Sequence, residues 1–228
     1  MNRLADRRTT VLLFGLVILM FAVMQAVFPR TLAAPLPDAR VQSPVLLFEF
    51  ARTPEHLDHV FGAPGDPERP ARIAAMDRGN RLDFLFMPLY GFFVFSVFAG
   101  IARERKRRVW LAVGALGLVA AASDAVENVL LLEITADLPS PGDALACLPW
   151  PVWIKFGLLA LTCGAAAVAL FRSGRRVLGA LCLPAPLAIL PGIAMPLQFG
   201  SLAVAMIGLG WLAMGLDAVT RLRRKTTG

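Results

Sequence analysis

The sequence predicts an all-α fold, a polytopic transmembrane helix bundle of about six spans with a small external helical cap. Three observations carry this reading. Of 228 residues, 57% are apolar and only 17% charged, against about 25% charged in an ordinary soluble domain. The apolar residues gather into runs of bilayer length, since a hydrocarbon core about 30 Å thick takes about 20 helical residues whose backbone groups all bond within the segment. Lys and Arg fall in clusters between those runs. A disordered chain, a disulfide-stapled secreted domain and a soluble enzyme of ordinary surface are all excluded.

Residues 1–10 carry Arg3, Arg7 and Arg8 ahead of the first span, 11–28. Arg7-Arg8 before an apolar run resembles a twin-arginine signal. The run is 18 residues long, however, and signal-peptide cores are about 7–15. A retained anchor is therefore expected.

Residues 29–81 form the external segment, with seven basic and seven acidic residues. The segment is too small and too rich in Pro and Gly to bury a core of its own, so it is expected to pack on the membrane surface or over the bundle mouth, with Val45, Leu46, Leu47, Phe48 and Phe50 as the apolar contact. A short helix begins at Thr53, whose hydroxyl suits an N-cap, with Pro54 in the first turn and Glu55 against the dipole. Leu57, Val60 and Phe61 make its buried face, and Gly62 ends it. A turn-rich linker, 62–70, then leads to a second short helix over 71–80. His56 and His59, the two histidines of the chain, are neighbours on the first helix and are the pair a metal would use. A catalytic zinc usually needs a third protein ligand, and none is marked out. They read as solvated surface residues, with neither metal nor cofactor expected.

The second span is 82–102, followed by a loop, 103–108, with five basic residues. The third is 109–132. The loop 133–151 has no Lys or Arg and ends in Trp150, which with Trp153 belongs at a membrane interface. The fourth span is 152–171, and the loop 172–176 carries three Arg. A fifth span, 177–195, holds Pro184, Pro186 and Pro191, with Pro196 just beyond. Each lacks a backbone donor, so a kinked helix is expected and a re-entrant hairpin is the alternative. The sixth span is 199–219, and the tail, 220–228, adds four basic residues. With six alternating spans all these clusters share one side, which the positive-inside rule makes cytoplasmic, together with both termini. That side holds 15 of the 23 basic residues, so the pI of about 10.3 reflects topology and no nucleic-acid partner is implied. Asp217 and Arg221 read as a local i, i+4 pair. Cys163 and Cys182 lie within spans and Cys147 outside, so no disulfide framework is suggested.

Ionisable residues inside spans cost roughly 2.5–3.5 kcal/mol each on insertion scales and ask for a reason. Asp83 and Tyr90 lie two turns apart on the second span. Asp124, Glu127 and Asn128 follow i, i+3, i+4 spacing on the third, and Lys155 enters the fourth. Together they place one polar layer in the external half of the bundle. Three carboxylates against one lysine leave negative charge in surplus, which burial and like-charge repulsion disfavour. Interhelical glue needs no such surplus, whereas a site for a cation, a proton or a small amine would use it.

Phe48-Glu-Phe-Ala-Arg-Thr-Pro-Glu55, Leu82-Asp-Phe-Leu-Phe-Met-Pro-Leu-Tyr90, Asp124-Ala-Val-Glu-Asn128 and Lys155-Phe156, in that order, resemble a group of uncharacterised bacterial multi-pass membrane proteins. The resemblance covers about residues 45–157 and leaves out the last two spans, which implies a four-helix core with a C-terminal helix pair added to it. It implies architecture and a bacterial cytoplasmic membrane, and names no activity.

Three functions follow from these readings. The first is a ligand, cation or proton handler whose externally open pocket is lined by Asp83, Tyr90, Asp124, Glu127, Asn128 and Lys155. The second is a membrane-embedded lipid-modifying enzyme without zinc, with one carboxylate as general acid or base. The third is a non-catalytic assembly protein that meets a protein partner through its external segment. In each, the lipid bilayer is the standing partner.

Overall fold

The computed structural model describes residues 4–37, 39–138 and 140–226, with side chains as far as Leu222. All regular structure among the described residues is helical: α1 (Arg7–Val27), α2 (Pro44–Glu49), α3 (Pro54–Phe61), α4 (Arg69–Arg105), α5 (Val109–Ala136), α6 (Gly142–Cys147), α7 (Pro149–Arg172), α8 (Arg176–Cys182), α9 (Pro184–Ala194), a π-helical turn (Pro196–Gly200) and α10 (Ser201–Thr226). Six stretches are long and apolar enough to cross a membrane: α1, α4, α5, α6 with α7, α8 with α9, and the π turn with α10. The protein is an integral, multi-pass, all-α membrane protein. One end of the bundle carries α2 and α3 and is the capped end. The other carries the start of α1, the end of α10 and the Arg-rich turns that follow α4 and α7, and is the basic end.

The second short external helix and the second span are one continuous helix. Pro70 occupies the first turn of α4, where its missing donor is not needed, and no proline follows until Pro88. At 1.5 Å per residue α4 is about 55 Å long, more than the hydrocarbon core requires. Its first turns therefore stand above the rest of the bundle at the capped end. Pro88 leaves the Phe84 carbonyl without its helical donor, which a spanning helix tolerates.

The proline-rich fifth span divides at Leu183 into α8 and α9. Pro184 and Pro186 fall in the first turn of α9, where backbone N–H groups have no helical acceptor anyway. Pro196 likewise opens the π turn. Only Pro191 lies inside a helix. Four prolines thus cost far fewer hydrogen bonds than their number suggests.

The cap is held at several points. The Ala33 and Ala34 amides donate to the His59 carbonyl at 2.9 and 3.2 Å, and those of Arg40 and Val41 to the Leu197 carbonyl at 2.9 and 3.2 Å. Leu47, Phe48, Phe50 and Ala51 are fully buried. Phe50 stacks on Trp153 with centroids 5.3 Å apart. It also lies against Gly200, where a Cβ would stand 2.3 Å from the ring. Glycine there lets α2 sink between α7 and the π turn. Thr53 occupies the N-cap of α3 but makes no cap hydrogen bond. The side-chain cap belongs to Ser43, whose Oγ accepts from the Leu46 amide at 3.4 Å.

At the basic end, α4 turns into α5 through Lys106, held at φ 52°. The two helices then pack closely through Gly91 and Gly117, where a Cβ on Gly117 would meet the Val94 Cβ at 2.7 Å. In lipid, association rests on such shape matching because chain tails are as apolar as leucine. Gly117→Val is expected to lower stability by about 1–3 kcal/mol through overpacking. Gly157→Ala, where a Cβ meets nothing within 4 Å, should leave it unchanged or raised. Thermal unfolding of both variants in detergent checks the pair.

Candidate functional site

The polar layer forms around one ammonium. Lys155 Nζ lies 2.7 Å from Glu127, 3.0 Å from Asp124 and 3.4 Å from Glu49, and no side chain of the four is more than 11% exposed. Asp124 and Glu127 reach it together because i and i+3 lie on one face of α5. Lys155 projects from the second turn of α7, and its Nζ also sits 4.4 Å from the Phe156 ring centroid. Tyr90 donates its hydroxyl proton to Asp124 Oδ2 at 2.8 Å. The Asn128 amide donates to Asp83 Oδ2 at 3.0 Å and to the Asn80 carbonyl at 2.9 Å.

The structure brings all six expected residues together in two linked groups. Lys155, Asp124, Glu127 and Tyr90 form the inner one, and Asn128 with Asp83 the one nearer the capped end. Two features differ from the reading of the sequence. First, Glu49 of α2 joins as a third carboxylate on Lys155; its signal was an acid alone inside the apolar run from Val45 to Phe50. Second, the layer is not open to the outside, because α2 is laid across it. A cavity of ≈ 60 Å³ does occur in the bundle, but at the basic end, lined by Thr10, Ser96, Gly100, Glu104, Ser173 and Arg221 among others.

The histidines serve the cap. His56 Nδ1 accepts the Arg52 amide at 3.2 Å, and His59 Nδ1 lies 3.3 Å from the Ala34 carbonyl. Burial, then the neighbouring His59 and Arg52, hold His56 below the usual imidazole range, which keeps Nδ1 free to accept. Among the described residues no group of three or more His, Cys, Asp or Glu side chains is placed to hold a metal ion; the three carboxylates that do converge close on the Lys155 ammonium.

Four carboxylates (Glu49, Asp83, Asp124, Glu127) and one lysine leave a surplus of three negative charges if all ionise. Binding protons or cations relieves such a surplus in a medium that solvates charge poorly. Fold and layer together define a multi-pass membrane protein with an ionisable core. Comparison with protein-family profiles, with curated proteins and with solved structures finds no match for the chain.

Burial at the mouth pushes the Glu49 carboxyl above its ordinary value near 4.5, with Asp124 adding to the shift and Lys155 opposing it. Docked α2 therefore holds a proton more tightly than α2 in water. The sign follows: docking is fully favoured where both states are protonated, below about 4.5, and weakens as the pH rises above that. Amide exchange over residues 47–51, corrected for intrinsic rates, should lose protection with rising pH by at most about tenfold per unit per proton. Glu49→Gln should flatten the slope. A slope of opposite sign would exclude the assignment.

Proposed function

We propose that this protein binds and releases protons, or a small cation in their place, at the layer formed by Glu49, Asp83, Asp124, Glu127 and Lys155, as part of moving them across a bacterial cytoplasmic membrane. The observation that carries this reading is the arrangement of three carboxylates around one buried lysine, with a fourth attached through Asn128. One carboxylate would neutralise the lysine. The others add negative charge that a titrating or cation-binding role uses. Tyr90 and Asn128 are the neutral partners that hold Asp124 and Asp83 in place. The clustering of Arg at the basic end supports a cytoplasmic position for that end and for both termini.

A second reading is favoured by one specific feature. Lys155 ties α2 and α5 to α7 in a single cluster, as a latch for the assembly of the bundle would. Interhelical hydrogen bonds of this kind average about 0.6 kcal/mol each.

The two readings separate in Asp124→Asn and Glu127→Gln. Under the proton-binding reading both variants reach wild-type yield and melting temperature in detergent. Proton uptake after a pH jump, followed by carboxyl infrared absorption, then falls by the contribution of the missing group. Loss of assembled protein in both, with uptake unchanged in whatever survives, establishes the latch instead.

A further inference from the structure

Among the described residues, three buried side-chain atoms have neither a hydrogen-bond nor an ion-pair partner: Asp77 Oδ1, Asn80 Nδ2 and Trp211 Nε1. Buried polar atoms are satisfied in the great majority of cases, by protein or by ordered water. Orphans scattered over a fold need no common cause. These three fall in order along the bundle, on either side of the ionisable layer.

Asp77 and Asn80 stand one turn apart on α4 at the capped end, one offering an acceptor and the other a donor. The Asn128 amide spans from the Asn80 carbonyl to Asp83. Asn128 adjoins Glu127, whose two carboxylate oxygens lie 2.7 and 2.8 Å from Lys155 Nζ. Beyond the layer, Tyr90 holds Asp124, and its ring centroid is 5.2 Å from that of Trp211. Phe93 flanks Trp211 at 6.4 Å, and Phe14 flanks Phe93 at 5.6 Å. One turn further on, the Ser96 and Thr10 hydroxyls lie 3.1 Å apart in the wall of the ≈ 60 Å³ cavity at the basic end. That volume has room for about four to six waters. Along α4 the distance from Asp77 to Ser96 is about 28 Å, close to the thickness of the hydrocarbon core.

We propose that a line of ordered water joins these groups and carries protons between the two ends of the bundle by way of the ionisable layer. The proposal rests on the proton-binding reading above and gives it a route. Each transfer breaks one O–H bond as the next oxygen gains one, so a proton entering at one end is matched by a proton leaving at the other. Nothing is oxidised or consumed. The narrow part of the line is the aromatic group Phe14, Phe93 and Trp211, which fills about 9 Å of α4 between Tyr90 and Ser96. There the Trp211 indole N–H is the polar group that holds a water among apolar rings.

The test uses the full chain in liposomes with a trapped pH-sensitive dye and a potassium gradient set by valinomycin. Trp211→Phe keeps an aromatic ring and removes the N–H. Gly100→Leu fills the cavity at a position where a Cβ approaches nothing closer than 3.9 Å. Asn80→Leu closes the capped side at nearly constant volume. Each is expected to slow proton flux by about 100-fold, the lower range for losing a positioned proton-transfer group. Proton uptake by the layer in detergent, read by infrared, should persist in the Trp211 and Gly100 variants. Wild-type flux in any one of the three overturns the route, as does a wild-type protein that takes up protons in detergent and passes none in liposomes. Absence of uptake by the wild-type layer instead removes the proton-binding reading itself.

Discussion

The burial of one ammonium group sets the arrangement of the capped half of the bundle. Lys155 costs roughly 2.5–3.5 kcal/mol to insert and far more if left without counter-charge, so its surroundings are obliged to supply acceptors. They do so from three directions. Residues 124 and 127 fix the rotation of α5, since only one face carries both acids toward α7. Glu49 fixes how deep α2 descends. Tyr90 transmits the constraint to α4 through Asp124. Removing the lysine would leave three acids facing one another in a place with little water, which is why its identity bears on more of the fold than any apolar contact.

The basic end is organised by a different kind of charge. Arg7 pairs with Glu104, Arg221 with both Glu104 and Asp217, and Arg175 with Asp217. These side chains are partly exposed, and each pair alone contributes about 1 kcal/mol or less. Their effect lies in connection, because the chain of contacts links α1, α4, the turn before α8 and α10. Between the two polar tiers the helices meet through small residues and aromatic rings, with Gly91 and Gly117 admitting α5 closely to α4. Ions at both ends thus fix which helices are neighbours, and shape in the middle fixes how near they come.

Much of this was legible in the sequence because bilayer thickness imposes a length on each span and the cost of charge makes every ionised residue within one conspicuous. Asp83, Asp124, Glu127 and Lys155 stood out for that reason, and periodicity placed Tyr90 and Asn128 on the same faces. Glu49 did not stand out, because it belongs to a segment where an acid is unremarkable unless the segment folds inward. The descent of α2 depends on a tertiary fit, Phe50 between Trp153 and Gly200, that no local pattern encodes. The fusion of the expected second cap helix with the following span has a local cause that composition alone obscured. The expected short helix ends at residue 80 and the expected span begins at 82, yet charged residues such as Arg78 and Arg81 continue a helix without penalty once it has left the hydrocarbon. Trp211 escaped notice because a tryptophan in an apolar helix declares nothing about the partner of its N–H.

Magnitudes decide how α2 works as a wall of the layer. Leu47, Phe48 and Phe50 are fully buried, and each such side chain contributes about 1.5–3 kcal/mol. Together they hold the helix more strongly than deprotonation of Glu49 loosens it, since one pH unit changes the balance by at most about 1.4 kcal/mol per proton. Raising the pH therefore thins the protection of α2 without releasing it, and exchange with the outside does not require the cap to leave. On the proposed proton-binding reading, an ionisable layer behind a wall that stays in place would be reached through gaps of water size. This limit favours the proton over larger occupants. A bulky ligand would need α2 displaced against its apolar contacts, while a proton needs only a hydrogen-bonded path past Asp77, Asn80 and Asp83 on the neighbouring face of α4.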